Sequence, residues 1–313
     1  MVSLPLSWSR RFEIDKKREL SLQETEDGIL SIIPGDMKNV KDETSISITK
    51  TTTSDKIYYR ILRAYLSGYS RITLFGELND EQMDFLDIIH KRIVGLEVTE
   101  QQEDRIVLTD LLKPEDVSLD KIVNQMFSFI TVMVKDIISD IEQGIKPGDK
   151  ILDRDSITVR NHNLAYRCCN MALKDSVYLG RLRKKTNEIL VLSRIVRSLD
   201  MIGTILIGIS YLINDEMTAG MRKHHYKILE KDEETTKILL DYLKKWLLYF
   251  QDTKMVLRER NIEKATNLYI KRFDYKIKVA KGTRKPEYLS HITDFCNQLN
   301  MMTALILRDF IMY

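Results

Sequence analysis

The sequence predicts a mainly α protein: six long helices arranged as two three-helix bundles, preceded by a β segment and a small α/β layer. Three observations predict it. Glycine and proline together are only 17 of 313 residues, too few for the many turns of a large β-sandwich. The 138 residues between Pro147 and Pro286 contain no proline, and helix interiors exclude proline. In the second half of the chain apolar residues recur at intervals of three and four, which places them on one helix face.

Residues 1–53 read as β structure. Glu19–Glu24 and Ile29–Ile33 flank Thr25-Glu26-Asp27-Gly28, and Asp-Gly is a strong hairpin-turn signal. A third strand, Ser45–Thr49, alternates Ile46 and Ile48 with polar residues. Residues 54–113 form the α/β layer. Ile57, Ile61, Leu62 and Tyr65 recur at helical spacing, and Gly68 ends that helix as a C-terminal cap. Ile72–Phe75 is a short strand. Asn79 or Asp80 caps a helix from about Glu81 to Ile93, and Leu96–Thr99 and Ile106–Thr109 are further strands. Strand and helix alternate, as in an α/β layer.

Residues 114–313 are helical. Ser118 caps a run with Leu119, Ile122, Met126, Ile130, Met133, Ile137 and Ile141, and Gly144–Gly148 ends it. A second helix runs from Ile151 to about Leu173. A third carries Leu192, Val196, Leu199, Ile202, Leu206, Ile209 and Ile213. Residues 214–232 are a polar link. Three more helices follow, over about 233–252, 255–281 and 287–312. Long helices with narrow apolar stripes bury them only against one another, so 114–215 forms the first bundle and 233–313 the second.

Composition bounds the function. Basic residues number 49 and acidic residues 46, a net charge of +3, so any claim of nucleic-acid binding rests on a local feature. Three cysteines, Cys168, Cys169 and Cys296, form no disulfide framework and no zinc pair. They read as small buried hydrophobes. Met1–Ser9 is too short and polar for a signal peptide. The longest apolar stretch, Met201–Ile213, falls short of the roughly 20 residues a bilayer requires. The protein is therefore expected to be cytoplasmic with no transmembrane segment. None of the five histidines has a partner at metal-ligand spacing, and His224 and His225 read as part of a solvated loop. Phosphate-cradling glycine loops and nucleophile elbows do not occur. An enzyme is not expected, and neither is a cofactor.

Three stretches together resemble an archaeal family that joins a SpoVT-AbrB-type segment to a PhoU domain. Val2-Ser3-Leu4-Pro5-Leu6-Ser7-Trp8 is similar to its V-S-L-P-x-x-W. Arg63-Ala64-Tyr65-Leu66-Ser67-Gly68-Tyr69 and Arg92-Ile93-Val94-Gly95-Leu96-Glu97 resemble its R-x-A-Y-L-x-G-Y and R-x-x-I-G-L-E signatures. Ser193–Gly203 matches the PhoU helix pattern R-D-L-E-R-I-G-D in spacing and partly in identity. The resemblance implies a PhoU fold of two three-helix bundles and an AbrB-like homodimer. It also implies a regulator of phosphate uptake or of phosphate-responsive transcription. Such a regulator binds DNA, or acts as an adaptor on a phosphate transporter or signalling protein.

Two departures bear on these expectations. AbrB-like segments usually have a strand before V-S-L-P; here Met1 directly precedes Val2, so the DNA-binding half is expected to be incomplete. Arg10, Arg11, Lys16, Lys17 and Arg18 are its remaining basic residues, read either as a DNA contact or as a solvated turn broken by Glu13 and Asp15. PhoU helices often carry Glu-x-x-x-Asp, two carboxylates one turn apart. Here the positions are Asp200 and Thr204, and in the last helix Asn300 and Ala304. Asp200 is a weak metal candidate, and no metal centre is expected.

One further feature is a basic helix. Between Lys254 and Lys285 there are eleven Lys or Arg and only three acidic residues, Glu259, Glu263 and Asp274, whereas residues 1–113 hold 16 basic and 20 acidic residues. Arg258, Arg260, Lys264, Lys271, Arg272, Lys276 and Lys278 are either a patch for an anionic partner or a solvated face that pairs with the acidic half across a dimer.

Overall fold

The computed structural model describes residues 3–14, 20–24, 30–34, 43–87, 89, 92–112, 117–145, 149–214, 233–277 and 287–312. Helix α1 (Leu6–Arg11) opens the chain, an element that the reading of residues 1–53 as β structure does not anticipate. Strands β1 (Leu20–Glu24) and β2 (Leu30–Pro34) pair antiparallel, with Leu22 opposite Ile32. They are the arms of the expected hairpin; its Asp-Gly turn lies outside the described residues.

The third N-terminal strand belongs elsewhere. β3 (Glu43–Ser47) pairs in parallel with β4 (Arg71–Phe75), Ile46 opposite Leu74. Parallel neighbours need a crossover, and helix α2 (Ser54–Leu66) supplies it. Ile48 is buried beyond the strand, its N–H bonded to the Phe75 carbonyl at 2.7 Å. The sheet is completed by β5 (Leu96–Gln101) and β6 (Arg105–Asp110), in the order β3-β4-β6-β5. Its core is Ile57, Ile61 and Tyr65 of α2 against Ile72, Leu74, Ile106 and Leu108.

Helix α3 (Asp80–Asp87) is shorter than the helix expected to Ile93. Asn79 is its cap: its Oδ1 accepts from the Gln82 N–H, while Gln82 Oε1 accepts from the Asn79 N–H, both at 2.9 Å. This reciprocal pair is a capping box. At the far end Arg92–Gly95 must turn the chain into β5. Gly95 takes φ +80°, and a Cβ there would lie 2.4 Å from Leu112, so glycine fits this turn and other residues do not.

The remaining chain is helical: α4 (Leu119–Glu142), α5 (Asp149–Lys174), a short α6 (Ser176–Arg181) and α7 (Thr186–Asn214), then α8 (Glu233–Glu259), α9 (Ile262–Ile270) and α10 (Glu287–Ile311). Ser118 caps α4, its hydroxyl accepting from the Lys121 N–H. The fourth and fifth expected helices divide at a different place. α8 runs through 253–254 because Thr253 is buried, with its hydroxyl bonded back to the Tyr249 carbonyl. The break falls at Arg260, at φ +52°, and Asn261 then caps α9 by accepting from the Lys264 N–H at 2.8 Å. α9 ends at Ile270 and tightens into a 3₁₀ turn, Lys271–Tyr275. Among the described residues the basic stretch is thus the end of α8, α9 and a 3₁₀ turn, not one helix; residues 278–285 lie outside the described residues.

α4, α5 and α7 pack together, α7 also lies along α10, and α8 packs on α4 and α10. One continuous core results, with Met126, Ile130, Leu199, Leu206, Trp246, Phe250, Leu299 and Leu307 all buried. Trp246 stacks on Phe250 at 4.9 Å and donates its indole N–H to Thr303 Oγ1 at 3.1 Å. α4 is long and apolar enough to cross a membrane by length and composition. Its stripe of Ile122, Met126, Ile130, Met133 and Ile137 is buried in this core.

Candidate functional site

Helix α5 carries Asn163, Arg167, Asn170 and Lys174 at intervals of four, three and four, one row along a helix face. The row docks the bundle onto the α/β layer. Asn163 Nδ2 donates to the Arg92 carbonyl (3.1 Å), Asn170 Nδ2 to Leu66 (2.9 Å) and Lys174 Nζ to Ser67 (2.9 Å). Arg167 donates to the carbonyls of Tyr65, Tyr69 (3.1 Å) and Gly68 (3.3 Å). It also pairs with the Asp110 carboxylate at 2.8 Å and lies over the Tyr65 ring, 4.5 Å from its centroid. A helix C-terminus leaves carbonyls without intrahelical partners, and this row bonds the last two of α2, Tyr65 and Leu66, together with those of Ser67, Gly68 and Tyr69 just beyond it. Gly68, at φ +96°, turns the chain so that the carbonyls converge. Arg167 and Asp110 are almost fully buried. Burial raises the Asp110 carboxyl above its ordinary range, opposed by the Arg167 charge and the Leu112 N–H.

A second polar cluster lies where α5 crosses α7. Asp200 is half-buried, with His162 Nδ1 3.9 Å from its Oδ1. Burial raises its carboxyl, against the pull of His162. Asp155 of α5 is pushed up to about 6, first by burial and then by the Asp200 charge, against Arg92. Asp155 Oδ1 is buried without a hydrogen-bond partner among the described residues. Gly203 leaves room for it: a Cβ there would lie 3.0 Å from that oxygen. The nearby Asp200 charge favours the protonated form of Asp155. Thr204 turns its hydroxyl to the Asp200 carbonyl at 3.3 Å. Among the described residues, no three His, Cys, Asp or Glu side chains converge on one metal position.

The basic residues are dispersed. Arg10 and Arg11 lie in the last turn of α1, with Arg11 over the Phe12 ring at 5.4 Å. Lys16, Lys17, Arg18 and Lys278 lie outside the described residues. Lys264 pairs with Glu259 at 2.8 Å. Lys271 heads the 3₁₀ turn. Arg272 lies 4.1 Å from the ring centroids of both Tyr269 and Phe273, and Lys276 lies over Phe273 at 4.8 Å. Arg258 and Arg260 instead stand beside a cavity of about 400 Å³, with Lys254 and Lys184. Its apolar wall includes Val123, Phe127, Val191, Leu192, Ile195 and Phe310. Lys184 pairs with Asp120 at 2.8 Å, and Lys254 Nζ bonds Ser128 Oγ at 2.9 Å. The Lys254 ammonium is pushed below its ordinary value, first by burial and then by Arg258. All three cysteines are buried, and burial raises their thiols, Cys169 to about 12. Such thiols stay protonated and are poor nucleophiles.

Compared with known proteins, the chain matches no family model, no curated protein and no solved structure.

The docking row and the cavity escape sequence reasoning. Arg167 had one signal: a charge set among Ala165, Cys168 and Cys169, small residues of a buried face. Asp155 had none, because its significance comes only from the opposing helix. The cavity's wall comes from five separated helices, so no local spacing marks it.

Proposed function

We propose that the protein is a phosphate-responsive regulator of the PhoU kind, working as a dimer through its N-terminal segment. In this reading α4, α5 and α7 form the first three-helix bundle and α8, α9 and α10 the second. The observation that carries it is the docking row. The residues that resemble the R-x-A-Y-L-x-G-Y signature supply the carbonyls that Arg167 gathers. That is a reason for such a signature to accompany a helical domain. A regulator needs its α/β layer held to its sensing bundle, and this seam does so.

The N-terminal segment either binds DNA or only dimerises, and the second reading is an adaptor on a phosphate transporter or signalling protein. The engagement of Lys264, Arg272 and Lys276 with neighbours of their own chain favours the adaptor. The deciding experiment is DNA binding by the full chain across a salt series, with and without inorganic phosphate. Affinity that falls steeply with salt and responds to phosphate supports the DNA-binding regulator. Absence of DNA binding leaves the adaptor. Absence of any response to phosphate, in DNA binding or in thermal stability, overturns both.

A further inference from the structure

The cavity between α4, α7, α8, α9 and α10 has a rim of cations and too few anions to meet them. Asp120 is taken by Lys184, and Glu188 accepts from the Lys185 N–H at 2.8 Å, at the start of its own helix. Arg258 and Arg260 make no ion pair among the described residues. Like charges gathered at the edge of an apolar space repel one another, and an anion placed there relieves them. The Lys254 ammonium is lowered first by burial and then by the Arg258 charge beside it. Among the described residues, Arg260 is also one of three non-glycine residues at positive φ. Such backbones are uncommon and tend to cluster at ligand sites. Behind the rim the wall is apolar, and the volume falls within the range of small-molecule sites.

We infer that this cavity binds an amphiphilic anion: one negatively charged head group on an apolar body. Lys254, Arg258 and Arg260 hold the head group, and the body lies against Phe127, Val191, Leu192 and Ile195. The inference does not depend on the phosphate reading, since inorganic phosphate has no apolar body to fill the wall.

The test is calorimetric titration of the full chain with decanoate, below its micellar range, against the uncharged decanol. Decanoate is expected to saturate one site per chain and to bind about tenfold or more tighter than decanol. Arg258→Ala with Arg260→Ala should weaken decanoate about tenfold and leave decanol nearly unchanged. Leu192→Trp should abolish binding of both, with its thermal unfolding checked alongside. Lys271→Ala, outside the cavity, should change nothing. Decyl phosphate binding as well as decanoate supports the inference, because the rim then reads charge. No saturable decanoate binding, or decanol binding equally well, overturns it. So does decanoate affinity unchanged in the double arginine variant, or displacement by equimolar inorganic phosphate.

Discussion

Asp155 shows how one side chain ties stability to pH. Its folded carboxyl titrates at about 6, while an unfolded aspartate titrates near about 3.9. Between those values the folded state binds more protons. This carboxyl's contribution to stability is therefore fully present below the lower value and is lost as pH rises through about 6. Asp155→Asn removes the penalty and keeps the shape. We expect it to raise stability at pH 8 by about 1–2 kcal/mol and to change it little at pH 4, read by urea unfolding at both. Equal effects at the two pH values would remove Asp155 from this role. The sequence marks Asp200 through its likeness to a family motif, but Asp155 is one aspartate among several on α5. Its environment is created by a helix some forty residues away.

At the scale of elements, periodicity reads well and partners read poorly. α4, α5, α7 and α10 lie close to their expected spans because long apolar stripes and the Ser118 cap are local signals. β3 was legible as a strand from Ile46 and Ile48, but not its partner, since alternation is silent about which edge a strand joins. The α8–α9 break was carried by Asn261, a capping residue three positions before Lys264. Two variants test how elements meet. Gly203→Leu should overpack the α5–α7 crossing and cost about 1–3 kcal/mol in denaturant unfolding; a variant as stable as the parent would put Gly203 outside that contact. Arg167→Met leaves Asp110 buried without its cation, which should cost about 3–5 kcal/mol. Adding Asp110→Leu should recover part of that loss. If Arg167→Met alone is neutral, the seam does not hold the layer to the bundle.

For the whole molecule, the N-terminal hairpin carries described apolar side chains that are left exposed. Leu22 and Leu30 are 65% and 54% exposed, and neither joins either core. A lone two-stranded hairpin is marginal in water, and in the proposed dimer a second copy would cover it. Removing residues 1–42, and so sparing β3, should convert a dimer to a monomer by light scattering at low micromolar concentration. An unchanged mass would count against association through this segment. The hairpin was legible from Asp27-Gly28 flanked by apolar runs. The exposure of Leu22 and Leu30 was not, because a sequence shows which residues are apolar but not which of them the fold fails to bury.

The two tryptophans divide between these regions. Trp246 is fully buried at the centre of the helical core, while Trp8 is half-buried on α1 against Phe12. Their emission is therefore a built-in pair of optical reporters. An aqueous quencher such as iodide reaches Trp8 and not Trp246. The fraction of emission it quenches in the native protein belongs to the N-terminal helix, and the remainder belongs to the bundle. With Trp8→Phe as the companion variant, core melting and N-terminal association are followed separately in one cuvette, without any label.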